Sequence, residues 1–600
     1  MEELQLTTEI IMVLAMIGVA VFLFIVEWLR VDVVAILMMV TLPLLGLVTP
    51  SEAFTGLSSN AVVSIIAVII IGAGLDRTGL INRLVNPVMR LAGNSQSRII
   101  VLIAGTVAAI SSFMQNIGAA ALFLPALQRI SKKTGLPLSK LLMPVGFAAI
   151  LGGTMTLVGS SPLILLNDLI KPYDLEPFGL FSVLPVGVIL VATGITYFVV
   201  LGRFVLPQGE AGAAAETEGS SLHAAYEQLG DTFELRAPES MKKPLTMQEI
   251  RDMYLVHLIA VEKTNSKEAV LAPERKTTIE PGDNFAVIGP EQNVRKLAEH
   301  NGMVVKPELD VFARELSPEV SGIVEVVVAP RSHLDGRTLR EVYFRKKYQV
   351  NCLAIFRSNR TFYAGISDIV LRPGDAILVQ GSWERFRILK DNKDLLFATP
   401  GEFEPMKPQK AALAGLWLAV ALTMIMFFKI QLSVSLMTGA LGMIVTRVIT
   451  IDEAYEAVDW RTIFLLAGLI PLGIATMKSG AAAYVAEATL SIIGNPSPIM
   501  LLTVIAIIST VFTLVVSNVG ATVLLVPLVV NMAMQAGADP RMAALVVGIA
   551  TSNSFILPTH QVNALYMGPG RYKSVDFIKA GTLMSVLFIV VMVLVLHFLY

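Results

Sequence analysis

A single cysteine, Cys352, stands among the 600 residues, which excludes an intrachain disulfide framework and any cysteine-rich metal site. Charge is also scarce: 16% of residues are Asp, Glu, Lys or Arg, against about 25% in soluble proteins. The net charge of -1 leaves no basic footprint for nucleic acid. No nucleophile–base pair or metal-ligand cluster can be picked out, which argues against an enzyme. The opening "MEELQLTTEIIMVLAMIGVAVFLFIVEWLR" has no basic n-region and no small-residue cleavage site, so a first membrane helix is expected there. What the chain does have is apolar residues, 54% of the total, with a mean hydropathy of +0.69.

Apolar runs of bilayer length fall at about 9–28, 32–48, 61–75, 99–128, 141–166 and 179–206. They resume at about 411–428, 432–449, 461–477, 499–530, 541–566 and 578–599. From Gln208 to about Lys410 the chain is charged and globular in pattern. The expected organisation is a first membrane repeat over 1–207, an insert over 208–405 and a second membrane repeat over 406–600. The two membrane blocks share a register. "TPSEAFTGLSSNAVVSIIAVIIIGAGLDRTG" from Thr49 lies over "TIDEAYEAVDWRTIFLLAGLIPLGIATMKSG" from Thr450, and Glu52 falls on Glu453. "MQNIGAAALFLP" lies over "VSNVGATVLLVP", pairing Asn116 with Asn518 and Pro125 with Pro527.

Charge orients the copies. Arg77, Arg83, Arg90 and Arg98 precede the first polar patch, and Arg129, Lys132, Lys133 and Lys140 follow it. The matching flanks of the second copy hold little beyond Lys478 and Arg541. By the positive-inside rule both flanks of the first patch are cytoplasmic and both flanks of the second are outside, so the repeats are inverted. A segment with both flanks on one side must enter, turn and leave. Hairpins are therefore expected at about 99–128 and 499–530, each with two arms of about 20 Å at 1.5 Å per residue. Their tips carry Gln115, Asn116 and Gly118 in one copy, and Ser517, Asn518 and Gly520 in the other.

Irregular backbone at that depth must be buried in protein or line a wet cavity. Free carbonyls, asparagine Oδ1 and a hydroxyl suit a small hard cation such as Na⁺, while free N–H groups at a helix start suit an anion. Ser111 and Thr513 lie five residues before the asparagines and would supply those hydroxyls. A lone asparagine in a membrane helix usually makes an interhelical hydrogen bond; its recurrence in inverted surroundings points to binding instead. About forty residues on, "GGTMTLVGSSPLILLND" from Gly152 and "TSNSFILPTHQVNALY" from Thr551 have the Gly, Pro and hydroxyl content of broken helices. His560 reads as a substrate contact more readily than as a proton relay, and Asp168 as interfacial. Neither hairpin contains Asp, Glu, Lys or Arg, which weighs against a proton antiporter.

At these tips, and in "GTMTLVGSSP" and "ATSNSFILPTHQVNALYMGPG", the chain resembles the divalent anion:sodium symporter family of the citrate transporter-like group. The resemblance covers both membrane blocks. It implies an elevator-like Na⁺-coupled symporter of a di- or tricarboxylate or sulfate, working as a homodimer. It further implies Na⁺ sites at Ser111, Asn116 and Gly159 and at Thr513, Asn518 and Thr559. The substrate would lie against Gln115, Asn116, Ser160, Ser161, Pro162, Ser517, Asn518 and His560. Each family tip usually reads Ser-Asn-Thr; here Ile117 and Val519 replace both threonines and Gln115 replaces one serine.

The insert repeats internally. "IEPGDNFAVIGPEQNVRKL" echoes "LRPGDAILVQGSWERFRIL", and "LIAVEK" echoes "CLAIFR". Short alternating strands, Pro-Gly-Asp turns and closing amphipathic helices are expected in each copy. "EVVVAPRSHLDGRTLREV" resembles the TrkA-C type of regulatory module, which implies domains at 208–300 and 301–405 and a small ligand of unreadable identity. The turns themselves read as structural. The expected whole is an all-α polytopic protein of a bacterial inner membrane. It has two inverted-topology repeats, each with a re-entrant hairpin and a broken helix, and a cytoplasmic α/β regulatory pair spanning about 208–410. An antiporter or anion exchanger, and a receptor on a transporter scaffold, remain as alternatives.

Overall fold

The computed structural model describes residues 6–80, 95–207, 230–397 and 407–599, apart from 242, 265–268, 274–276, 308, 314, 318–319, 331, 358–359, 364, 391 and 495. Arg83, Arg90 and Arg331, the insert borders at 208–229 and 398–406, and the side chains of Pro125, Arg129, Lys132 and Lys133 lie outside the described residues. The chain divides into two compact units, 1–213 with 407–600, and 214–406.

The first half of the helical unit runs α1 (Thr8–Val26), α2 (Val31–Leu44), α3 (Pro50–Phe54), α4 (Asn60–Arg77), α5 (Gln96–Ser111), α6 (Asn116–Thr134), α7 (Ser139–Gly152), α8 (Ser161–Ile170) and α9 (Leu184–Val205). The run expected at 99–128 is thus two helices, parted at residues 112–115 where the polar patch sits. The run at 141–166 is parted at residues 153–160, with Pro162 in the first turn of α8, where a missing N–H costs nothing.

The insert folds as two modules of one topology. The first holds β1 (Asp231–Arg236), β2 (Leu245–Thr246), α10 (Met247–Tyr254), β3 (His257–Glu262), β4 (Ala269–Leu271), β5 (Thr278–Ile279), β6 (Asn284–Gly289), α11 (Glu291–Asn301) and β7 (Val304–Val305). The second holds β8 (Ser321–Val328), α12 (Phe344–Tyr348), β9 (Asn351–Arg357), β10 (Arg360–Phe362), β11 (Ala376–Ser382), α13 (Trp383–Lys390) and β12 (Leu395–Phe397). The antiparallel sheet orders, β4-β3-β6-β1-β7 and β10-β9-β11-β8-β12, correspond strand for strand. In both Pro-Gly-Asp turns the glycine is left-handed, at φ +86° and +87°. Each aspartate then pairs with the cation closing its echo segment, Lys263 to Asp283 at 2.9 Å and Arg357 to Asp375 at 2.5 Å. Ile259, Ala286, Phe312, Leu353 and Leu378 form a buried cluster shared by the two modules.

The second half of the helical unit runs α14 (Ala411–Met426), α15 (Leu432–Val445), α16 (Ile451–Ala457), α17 (Trp460–Lys478), α18 (Ala481–Ile493), α19 (Pro498–Val515), α20 (Asn518–Gln535), α21 (Pro540–Ala550), α22 (Gln561–Gly570) and α23 (Ser574–Leu599). The breaks recur in the same order, between α19 and α20 and between α21 and α22. Among the described residues, eight helices are long and apolar enough to cross a membrane. Helix α18 has no counterpart in the expected spans, because 13 residues fall below bilayer length.

The halves interlock reciprocally. Helix α2 packs on α17, and α15 packs on α4. Thr49 and Thr450 both close capping boxes, with Glu52 and Glu453. Each glutamate then crosses to the other half: Glu52 meets Lys478 at 2.5 Å and Glu453 meets Arg77 at 3.0 Å. Arg77 and Lys478 are the last residues of α4 and α17. One exchange, made twice, joins the halves.

Candidate functional site

Both asparagines open a helix just past a break, Asn116 on α6 and Asn518 on α20. One hydroxyl contact recurs at both. Ser111 Oγ lies 2.8 Å from Asn116 Oδ1 and 2.7 Å from Ala149 O. Thr513 Oγ1 lies 2.7 Å from Asn518 Oδ1 and 2.8 Å from Thr551 O. A hydroxyl has one proton to donate. Each triad therefore sets one proton among three oxygens, and one acceptor is left facing a lone pair. A small hard cation resolves that conflict, since such ions take oxygen ligands.

Glycine tightens the first triad. A Cβ at Gly153 would stand 2.5 Å from Asn116 Oδ1, and one at Gly159 would stand 3.1 Å from Ser111 O. Only backbone without side chains lets these oxygens approach. Gly159 thus lies beside Ser111, and Gly153 beside Asn116. Thr559 is exposed on the cavity wall, and the carbonyl that meets Thr513 is that of Thr551. Ala149 and Thr551 escaped the sequence reading because a backbone carbonyl leaves no mark on residue type.

A cavity of about 380 Å³ opens between the two triads. Gln115, Asn116, Gly159, Ser160, Ser161, Pro162, Thr513, Ser517, Asn518, Thr559 and His560 all line it; Ser111 reaches it through Asn116. Four helices of ten residues or more begin at this cavity, with N-caps Gln115, Ser160, Ser517 and His560. Each contributes roughly half a positive charge from its unpaired N–H groups. Gln115 and Ser160 do not cap with their side chains, which leaves the first N–H groups of α6 open; in α8 Pro162 has no N–H and Leu163 N turns back to Ser160 O, so that start offers the Ser161 N–H. His560 Nδ1 accepts from Val562 N at 3.2 Å, which leaves the ring proton on Nε2 as a donor. Among the described residues that line it there is no Lys or Arg; Glu27, which follows α1, and Thr462 of α17 join the wall. Asp168 lies elsewhere, accepting from Ala61 N at 2.8 Å and so capping α4.

The insert holds a second cavity of about 440 Å³, lined by Arg251, Arg340, Tyr343, Arg345 and Lys346 among others. Arg345 donates to Pro273 O at 2.9 Å, and no carboxylate among the described residues pairs with it. Burial, with Arg251 nearby, pulls its guanidinium down to about 10, so it stays charged at neutral pH.

The sequence pattern of the citrate transporter family matches residues 21–548. An uncharacterized transporter of Synechocystis is 29% identical over 96% of this chain and 95% of its own length. An uncharacterized transporter of Escherichia coli, YfbS, is 29% identical over 99% of both chains. Sodium/sulfate cotransporter 1 of Chlamydomonas reinhardtii is 24% identical over 56% of this chain and 39% of its own.

Proposed function

The chain belongs to the citrate transporter family, a multi-pass membrane transporter and not an enzyme, and on that premise we propose that it couples Na⁺ entry to uptake of a small divalent anion. The observation that carries the reading is the duplicated triad, in which one hydroxyl proton serves two acceptors. Na⁺ would sit at Ser111, Asn116 and Gly159, and at Thr513, Asn518 and the Thr551 carbonyl. Between them, four helix starts and His560 Nε2–H would hold the anion without a cationic side chain. Neutral donors suit cargo that must be released: a buried arginine would grip a dianion too firmly. Ile117 and Val519 add apolar wall where hydroxyls would otherwise compete for Na⁺.

In this reading the repeats are inverted and the two helix–break–helix units are re-entrant, entering from opposite faces. Na⁺ binding would order the breaks, and the unit carrying both tips would move across as an elevator. A homodimer in a bacterial inner membrane, with a cytoplasmic insert, follows from the family resemblance and the charge pattern. The insert would be a TrkA-C-like pair that senses an anionic ligand at Arg251 and Arg345. Sulfate is favoured among substrates by the name of the Chlamydomonas relative.

The test is uptake of labelled sulfate, succinate and citrate into proteoliposomes at fixed pH, with and without a Na⁺ gradient. Asn116→Ala and Asn518→Ala are each expected to reduce Na⁺-driven uptake at least ~100-fold, about 2.7 kcal/mol, with expression intact. Undiminished Na⁺ dependence in both variants would discard the assignment.

A further inference from the structure

One helical turn before Thr513, α19 carries Ser509 and Thr510, both buried, and Thr510 meets the broken segment between α21 and α22. Asn553 of that segment is fully buried. Its amide nitrogen donates to Thr510 Oγ1 at 3.2 Å and to the backbone oxygen of Ser585, on α23, at 3.3 Å. Its own Oδ1 has no partner. Nor do Ser509 Oγ, Ser554 Oγ and Ser585 Oγ, all buried. A buried polar atom without a partner is costly, the more so where bulk solvent is far. Four such oxygens lie on α19, the broken segment and α23, the three elements that the Asn553 amide joins.

The fold does not require this polarity. At the register that pairs Asn116 with Asn518, the first half has Val107 and Ala108 for Ser509 and Thr510, and Leu151 and Gly152 for Asn553 and Ser554. There the same place is closed by direct contact: a Cβ at Gly152 would stand 2.4 Å from Ala108 O. The second half keeps its version lined with oxygen.

We propose that Ser509, Thr510, Asn553, Ser554 and Ser585 form a third Na⁺ site, present in the second half only and one turn from the Thr513–Asn518 triad. The proposal rests on the Na⁺-coupled reading above and deepens it. Every ligand is neutral, so this ion adds one full positive charge to each transport cycle. Two Na⁺ with a dianion move no net charge, whereas three make uptake sensitive to membrane potential.

Ser585→Ala is the informative variant. Asn553 bonds the Ser585 backbone carbonyl, so the substitution removes an unpartnered hydroxyl and keeps both amide bonds. Radiolabelled Na⁺ and whichever of labelled sulfate, succinate or citrate the wild type takes up would be counted together. The proteoliposomes would be held at potentials set with K⁺ and valinomycin. The wild type is expected to carry one more Na⁺ per anion than Ser585→Ala or Asn553→Ala, and the variants to respond less to an inside-negative potential by one charge per cycle. An unchanged ratio and potential response in Ser585→Ala, with Na⁺ dependence intact, would make the cluster a buried-water site and overturn this proposal alone. A wild type whose uptake ignores Na⁺ would overturn the coupled reading and this site with it.

Discussion

The two halves of the helical unit use the same chemistry and different packing. In both, a hydroxyl five residues before an asparagine reaches a carbonyl on the neighbouring helix. In both, a capping-box glutamate crosses to a cation at the end of the other half's long helix. Around these points the side chains diverge. Gly153 holds the register that Phe555 holds in the second half, where it packs against Phe147 with ring centroids 4.6 Å apart. What recurs is the set of oxygens a cation can use; what differs is the packing at one register, a glycine beside Asn116 in the first half and a packed aromatic ring in the second.

That contrast is broken most forcefully at its own register. Gly153→Ala is expected to abolish Na⁺-driven uptake, at least ~100-fold, because the new methyl would meet Asn116 Oδ1 at 2.5 Å. Phe555→Ala, at the matching position, is expected to lower stability by about 3–5 kcal/mol through the cavity it leaves, with the residual uptake still Na⁺-dependent. Proteoliposome flux and thermal unfolding in detergent, measured on both variants, separate the two roles. Equal loss of coupling in both would erase the distinction.

The crossing ion pairs offer a smaller contrast. Glu453 is held by Arg77 at 3.0 Å and Lys407 at 3.1 Å with its side chain 10% exposed, whereas Glu52 has Lys478 and is 26% exposed. Glu453→Gln is therefore expected to cost about 2 kcal/mol and Glu52→Gln under about 1 kcal/mol, by the usual difference between shielded and solvated pairs. Thermal unfolding of the two variants ranks them, and the reverse order would contradict the reciprocal-latch description.

In the insert the comparison is between modules. His257 opens β3 where Asn351 opens β9. Burial, with the charges of Arg251 and Arg345, holds the His257 imidazole down at about 4, from an ordinary 6.5. Above about 6.5 the ring is neutral in both folded and unfolded chain, so pH has no effect through it. As pH falls from 6.5 to 4 only the unfolded chain takes the proton, and the module loses stability, on the order of 3 kcal/mol by pH 4. Hydrogen exchange across β3 is expected to quicken over that window in the full chain, and His257→Asn to flatten the change. Acid sensitivity surviving in His257→Asn would place its origin elsewhere.

Much of this architecture was legible because it is written twice. The register of Asn116 with Asn518 located both helix breaks, and polarity alone marked the insert. Helix α18 was not legible, since 13 apolar residues look the same in a core as in a membrane. The Ala149 and Thr551 carbonyls were hidden because every residue owns one. The crossing of Glu52 to Lys478 joins positions hundreds of residues apart, and nothing local to either end announces it. That Asp168 caps α4 was hidden for the same reason: its partner is a backbone N–H distant in sequence.

The most direct measurement is Na⁺ binding itself, read as thermal stabilisation of the purified protein when Na⁺ replaces choline at constant ionic strength. The wild type is expected to gain stability with rising Na⁺, Ser111→Ala and Thr513→Ala to need at least ~10-fold more Na⁺ for the same gain, and the double variant to lose most of it. A Na⁺-dependent shift of undiminished size in the double variant would contradict the account.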